Sequence, residues 1–147
     1  MNMLIAIDGS KHDTGSLRMA AHYGREGGTK FSLLHIISSV ADIDLELSAS
    51  DRDRLLESMK QRGGEILEHA EEQLRQYGAT HIMTVLATAP SPATEIISFA
   101  EKERVDLIVI GSRGRNANGR FLLGSVADSV VRYGPCNVFV VKESSRS

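Results

Sequence analysis

Several features that assign proteins to specialised classes are scarce or missing in this sequence. Cys136 is the only cysteine among 147 residues, so the chain can form no internal disulfide and offers no pair of thiols to a metal. No apolar run approaches the roughly 20 residues that a membrane span needs. The first five residues lack the basic flank and long apolar core of a signal peptide. These absences predict a cytoplasmic protein without a membrane span.

An excess of charge of either sign is also missing. The 19 acidic and 17 basic side chains give a formal net charge of -2, which gives no reason to expect nucleic acid as a partner. No two of the five histidines fall at the spacing of a zinc site, and we predict no metal bound by histidine. The length and the hydrophobic fraction of 41% predict one globular domain over residues 1–147.

What the sequence does contain is a regular alternation of two patterns. Short apolar runs rich in β-branched residues predict five strands, at residues 3–8, 30–37, 80–87, 105–111 and 137–141. Amphipathic stretches predict four helices, over about 13–25 and 51–77, and beginning near 91–92 and 124–125. The alternation predicts an α/β, Rossmann-like fold: a doubly wound five-stranded parallel sheet with helices on both faces.

The helices carry specific expectations about burial and capping. On the longest one, Leu55, Met59, Ile66, Ala70 and Leu74 recur along one face, which predicts that this face packs on the sheet. In the last helix the residues predicted to be buried are Val126, Val130 and Val131. Ser91 is predicted to cap the third helix with Pro92 at its first position, and Ser10 to cap the first helix together with Asp13.

In a doubly wound sheet the ligand lies beyond the carboxyl ends of the strands, where the strand order reverses. The candidate loops are therefore Asp8-Gly9-Ser10 after the first strand and the segment from Gly111 onward after the fourth. A third connection, residues 38–50, is acidic and serine-rich; it is either a flap over the cleft or a plain solvated loop, and we favour the loop.

The segment after the fourth strand has the composition of an anion site. Gly111 and Gly114 can turn backbone amides inward, and Gly124-Ser125 adds a helix N-terminus and a hydroxyl. Nearby arginines, Arg113, Arg115 and Arg120, make the loop locally basic. The segment lacks the Gly-Lys of a P-loop, and the first strand is not followed by three spaced glycines of a dinucleotide fingerprint. On spacing alone, a glycine-rich surface loop remains the alternative.

Motifs along nearly the whole chain resemble the universal stress protein family. They are "LIAIDGS", "LLHI", "VDLIVIGSRGR", "LLGSVADSVV" and "CNVFVV". ATP-binding members have Gly, two residues, Gly, nine residues, then Gly with Ser or Thr, and Gly111, Gly114 and Gly124-Ser125 fit this spacing. The chain departs from the family pattern at residues 89–93 and at Asn137, which stands where proline commonly follows the cysteine.

The resemblance implies a set of ligand contacts for an adenine nucleotide. Near adenine and ribose it places Ala6, Ile7, Asp8 and Ile36. Around ribose and phosphates it places Gly111, Ser112, Arg113, Gly114, Arg115 and Asn116. At the outer phosphates it places Gly124, Ser125, Val126 and Ala127.

The leading functional hypothesis is a module that binds ATP with Mg²⁺ and changes its affinity for a protein partner with nucleotide state. The resemblance also implies a homodimer through the last strand, at Val138, Phe139, Val140 and Val141. A competing hypothesis is a slow ATPase or an adenylyl-transferring enzyme of the same fold group, although the sequence offers no dedicated base and we assign no catalytic residue. A third is a structural dimer that binds no nucleotide.

Overall fold

Strands and helices alternate through the residues that the computed structural model describes, which are 1–38, 47–113 and 123–142. In chain order they are β1 (Asn2–Ile7), α1 (Asp13–Tyr23), β2 (Lys30–Ser38), α2 (Ala49–Gln76), β3 (Ile82–Ala89), α3 (Pro92–Lys102), β4 (Leu107–Gly111), α4 (Ser125–Tyr133) and β5 (Asn137–Val141). All nine predicted elements are present, with ends displaced by a few residues.

The five strands form one parallel sheet in the order β3-β2-β1-β4-β5. β1 lies at the centre, with Ile7 opposite His35 of β2 and Ala6 opposite Ile110 of β4. The chain adds β2 and β3 on one side of β1, then crosses to add β4 and β5 on the other. The strand order therefore reverses at β1 and β4, which confirms the predicted doubly wound architecture and locates the edge at which sheets of this kind commonly bind ligands.

Each face of the sheet has its own apolar core. On one face, Leu17 of α1 and Leu74 of α2 are fully buried with residues of β1 and β2. On the other, Ile96 of α3 and Val130 of α4 pack against Leu4, Ile108 and their neighbours. Each such side chain contributes about 1.5–3 kcal/mol to the free energy of unfolding. Because helices cover both faces of the sheet, its polar groups are accessible at the ends of the strands.

The longest helix does not pack along its whole length. The buried residues of α2 lie between Gly63 and Leu74, and Leu55 is 39% exposed, contrary to the prediction. A helix of 28 residues is about 42 Å long, whereas the nine-residue strand β2 spans about 30 Å. The first half of α2 therefore extends past the carboxyl end of the sheet.

Two other local predictions have clear outcomes. The Ser91 hydroxyl accepts a hydrogen bond from the Thr94 amide at 3.3 Å, which confirms Ser91 as the cap of α3. Val131 is 47% exposed, so its predicted burial is wrong. Ala127 and Val130 already occupy the core side of the short helix α4, and the next residue is rotated by about 100° from Val130.

Candidate functional site

A cavity of about 830 Å³ opens at the carboxyl ends of β1, β2 and β4. Its size lies within the range usual for small-molecule sites. The predicted site residues that line it are Ala6, Ile7, Asp8, Ile36, Gly111, Ser112, Arg113, Gly124, Ser125, Val126 and Ala127. The other three, Gly114, Arg115 and Asn116, lie outside the described residues. The structure thus brings the segments after the first and fourth strands to one cavity.

The turn after β1 is held by two aspartates. The Asp13 carboxylate accepts hydrogen bonds from the amides of Asp8, at 3.2 Å, and Gly9, at 2.8 Å. Asp8 Oδ1 accepts one from the amide of Ser10 at 2.9 Å. Gly9 has a φ of +83°, a conformation that glycine adopts without a steric penalty. The loop amides that hold phosphate in other doubly wound folds are here occupied by carboxylates of the chain itself.

Ser10 does not cap α1 as predicted. The residue at the cap position is His12, and the Ser10 hydroxyl accepts a hydrogen bond from the His12 amide at 3.3 Å. The Ser10 carbonyl oxygen accepts another from the amide of Asp13. Ser10 therefore stabilises the turn that precedes the helix, while the Asp13 side chain reaches back toward β1.

Asp13 has an altered acidity in this setting. Burial, the nearby charge of Asp8 and a hydrogen bond between the two side chains together raise the pKa of Asp13 from 3.8 to about 7, against the lowering effect of the backbone amides of Asp8 and Gly9. Near neutral pH the pair therefore holds a proton for part of the time. From the sequence, Asp13 was predicted only to cap α1, because its position inside the cavity depends on the fold of the turn.

Hydrogen bonds connect the two ends of the segment that follows β4. The amide of Gly124 donates a hydrogen bond to the carbonyl oxygen of Ser112 at 2.5 Å, and the amide of Ser112 donates to Val141 at 2.8 Å. These bonds place the first glycine of the predicted phosphate motif beside its last. The eleven residues between Ser112 and Gly124 in sequence separate the two halves of the motif, and the fold brings those halves together at one wall of the cavity.

The N-terminus of α4 supplies polar groups to the same wall. The first backbone hydrogen bond of α4 runs from the Asp128 amide to the Gly124 carbonyl oxygen, at 2.9 Å, and the cap residue Gly124 has no side chain that could accept from the first amides. The amides of the three residues from Ser125 to Ala127 therefore have no acceptor within the helix. Together with the helix dipole and the Ser125 hydroxyl, they form a site suited to an anion.

A further wall of the cavity comes from α2, whose apolar face was predicted only to pack on the sheet. Met59, Arg62 and Ile66, at positions i, i+3 and i+7, line the cavity with Gly63 and with His35 of β2. They reach it because α2 extends past the sheet. The signal in the sequence is the length of the helical pattern, which exceeds the length of the strands that it covers.

Three further observations concern the described residues. Within residues 1–38, 47–113 and 123–142, no three His, Cys, Asp or Glu side chains lie together as metal ligands would. No helix in the same ranges is long and apolar enough to cross a membrane.

At the sheet edge, β5 carries four half-buried apolar side chains, and the ring of Tyr23 lies 5.1 Å from that of Phe139.

Comparison with solved structures identifies the same fold. The chain superposes on the structure of the hypothetical protein MJ0577 with a TM-score of 0.87 at 25% identity, over 98% of this chain and 96% of that one. A universal stress protein from Archaeoglobus fulgidus, solved in complex with dAMP, gives a TM-score of 0.68 at 25% identity, over 97% and 98% of the two chains.

Two more distant neighbours show the likeness of fold. A universal stress protein family protein from Arabidopsis thaliana, solved with AMP bound, has a TM-score of 0.72 at 20% identity, over 99% of this chain and 93% of that one. A universal stress protein solved in complex with cAMP has a TM-score of 0.69 at 20% identity, over 98% of each chain.

The sequence comparisons identify the family directly. Universal stress protein YxiE of Bacillus subtilis is 33% identical over 147 aligned residues, which cover 95% of this chain and 97% of the relative. The model of the universal stress protein family matches residues 1–142. The chain therefore belongs to the universal stress protein family.

Proposed function

We propose that this protein binds an adenine nucleotide, ATP with Mg²⁺, in the cavity at the switch point and acts as a nucleotide-dependent binding module in the cytoplasm. The observation that carries the proposal is the hydrogen bond from Gly124 to Ser112, which joins both ends of the Gly-x2-Gly-x9-Gly-Ser motif at the cavity wall. Family membership and the neighbours solved with AMP, dAMP or cAMP support it.

The charges of the cavity give the nucleotide one orientation. The carboxyl groups of Asp8 and Asp13 at the β1 turn repel phosphates, whereas the amides at the start of α4 attract them, and the Asp128 carboxylate in the first turn of that helix is paired with Arg132 at 3.0 Å. The base and ribose then lie along Ala6, Ile7 and Ile36, with the Asp8 carboxylate as an acceptor for a ribose hydroxyl. The outer phosphates reach Ser125, Val126 and Ala127. Gly114, Arg115 and Asn116 remain proposed contacts.

Mg²⁺ fits this arrangement as a companion of the phosphates. The ion prefers oxygen ligands and is commonly held by substrate phosphates with one or two protein groups. Oxygen donors are present at the proposed phosphate end, in the Ser125 hydroxyl and in Asp128, which lines the cavity. The ion would balance the negative charge of the triphosphate.

Dimerisation through β5 completes the proposal. β5 is an edge strand of five residues, and the side chains of Val138, Phe139, Val140 and Val141 are each half-buried in the single chain. Its only lysine neighbour, Lys142, follows the strand, so the strand itself carries none of the charges that protect exposed edges. Pairing with β5 of a second copy would satisfy the outward backbone groups and cover these side chains.

Slow ATP hydrolysis is the competing function. Asp13, with its pKa near 7, is a cavity carboxyl that could accept a proton at neutral pH. Its carboxylate is engaged by two backbone amides of the turn after β1. We therefore favour binding without efficient turnover. Single-turnover measurement with radiolabelled ATP decides between them, with Asp13→Asn as control: a rate above buffer that the variant loses would support hydrolysis.

Binding itself is tested by extracting small molecules from the purified protein and by thermal melting with ATP and Mg²⁺. A ligand that selects the folded state raises the melting temperature. Gly111→Ala is the informative variant, because a Cβ there would lie 3.5 Å from the Arg113 carbonyl oxygen, an ordinary contact, so the chain alone tolerates it. We expect an unchanged melting temperature without ligand and a reduced shift with ATP.

The matched control is Gly27→Ala, where a Cβ would meet nothing within 4 Å. This variant should keep the full ATP-dependent shift. An empty site after extraction, together with no shift in the unsubstituted protein, would contradict nucleotide binding.

A further inference from the structure

The imidazole of His35 is held in one orientation at the cavity wall. Its Nδ1 lies 3.0 Å from the carbonyl oxygen of Ile7, its partner in the register of β1 and β2. A carbonyl oxygen can only accept, so Nδ1 is the donor in this hydrogen bond. In the neutral ring Nε2 is then an acceptor. The pairing of β1 with β2 therefore sets the tautomer of His35, and no ligand is needed for it.

The helix α2 closes against the same ring. A Cβ placed on Gly63 would come within 3.1 Å of His35 Cδ2 and within 2.7 Å of a methyl carbon of Leu86. Such distances are too short for an undisturbed neighbour, so the absence of a side chain at residue 63 lets the helix backbone approach the imidazole. The ring is thus fixed by a hydrogen bond on one side and by a helix on the other.

His35 Nε2 is left available to the cavity. It makes no hydrogen bond to any of residues 1–38, 47–113 and 123–142, and in those ranges no buried side-chain nitrogen or oxygen lacks a partner, so Nε2 is accessible. The ring lines the cavity beside Ile37, Met59 and Ile66. A fixed acceptor on a wall that combines apolar side chains with Arg62 favours a ligand that places an N–H donor there and a flat apolar surface beside it.

We propose that His35 Nε2 accepts a hydrogen bond from the exocyclic amine of the purine base and is a specificity-determining residue of the site. The inference rests on the proposed nucleotide function and adds the side chain, His35, that recognises the base. AMP, dAMP and cAMP, the nucleotides in three structural neighbours, differ in sugar or phosphate and share adenine. Adenine carries one exocyclic amine, and that amine is the only N–H donor on the neutral base.

Ile36 and His35 can contact the same base although their side chains leave opposite faces of β2. Ile36 packs toward the core of α3 and α4, whereas Gly63 of α2 touches His35. Both line the cavity, because it wraps around the carboxyl end of the strand. The base would lie across this strand end, with its amine on the α2 side.

The test compares AMP with purine riboside 5′-monophosphate, which lacks only the exocyclic amine, by calorimetric titration at pH 8. The unsubstituted protein should bind AMP about tenfold more tightly, the effect of one hydrogen bond whose acceptor is otherwise left unpaired. His35→Asn keeps a donor at the Nδ1 position for Ile7 and removes the acceptor. His35→Gln keeps an acceptor near the Nε2 position.

We expect the ratio of the two dissociation constants to fall to about one in His35→Asn and to recover in part in His35→Gln. An unchanged ratio in His35→Asn would overturn the inference while AMP binding upheld the proposed function. A wild-type protein that binds both nucleotides equally would also overturn it. If neither nucleotide binds, the proposed function and the inference fail together, and melting temperatures of the variants show whether folding was affected.

Discussion

The Asp13 carboxylate accepts a hydrogen bond from the Gly9 amide at 2.8 Å and lies close enough to Asp8 for its pKa to respond to that charge. The chain thus places two acidic groups where a doubly wound fold commonly places phosphate. The cavity wall thus carries two carboxyl groups after β1 as well as the N-terminus of α4. The acidic pair also makes the stability of the fold depend on a proton.

The first prediction concerns the proton that Asp13 binds. The pKa of Asp13 is about 7 in the folded chain and 3.8 without these interactions, so the folded state binds the proton more tightly. The stability from this group is present below about pH 4 and is lost as pH rises toward 7, by a few kcal/mol at most. Urea unfolding of Asp13→Asn should show a smaller loss of stability between pH 5 and pH 8. Parallel pH profiles of the two proteins would contradict this.

The second prediction compares two adjacent glycines of α2. Replacing glycine by alanine inside a helix ordinarily stabilises a protein by about 0.5–1 kcal/mol. Gly64→Ala should gain this amount, because its Cβ would meet nothing within 4 Å. Gly63→Ala should gain less or lose stability, since its Cβ would press on His35 and Leu86.

Both variants are measured by chemical denaturation, and the His35 ring signals in the NMR spectrum report on the local displacement. We expect those signals to move in Gly63→Ala and to stay in place in Gly64→Ala. Equal stabilisation by the two substitutions would show that the backbone of α2 is not packed closely against the His35 ring.

The third prediction tests whether Ser125 contacts the outer phosphates of ATP and not the inner one. If Ser125 meets the outer phosphates, Ser125→Ala removes one hydroxyl donor there and should weaken ATP binding by about tenfold. AMP lacks those phosphates, so its affinity should change little. Calorimetric titration of both nucleotides provides the comparison, and an equal loss for AMP and ATP would place Ser125 elsewhere relative to the ligand.

The fourth prediction concerns the exposed sheet edge. Val140→Lys introduces a charge at the fourth of the five residues of β5, and in a symmetric strand pair the two copies would bring two such charges to the same short interface. We expect light scattering after size exclusion to change from the mass of two 16.0 kDa chains to that of one. Tyr133→Lys, at a side chain that is 70% exposed on α4, adds the same charge as a control. A monomeric unsubstituted protein would refute the dimer.

The sequence predicted the architecture because its strongest signals are local. Apolar runs such as residues 105–111 and amphipathic stretches such as 51–77 have periods that follow from strand and helix geometry. The loops at the switch point followed from that alternation together with the glycine spacing. The predicted residues that the structure describes do line one cavity.

What the sequence could not predict depends on distances between elements. The role of Asp13 requires the turn after β1 to bring residue 13 back to residues 8 and 9. His35 acquires a fixed tautomer only because Ile7 lies opposite it in the sheet. Leu55 was misplaced because periodicity gives the face of a helix but not where its partner sheet ends.

The hydrogen bond between Gly124 and Ser112 has a consequence for how variants of this protein can diverge. It joins the two ends of the intervening segment. We expect substitutions between these two residues to change the charge and ligand preference of the proposed site more than they change the fold at its base. New specificities could therefore be introduced by grafting segments of equal length between residues 112 and 124.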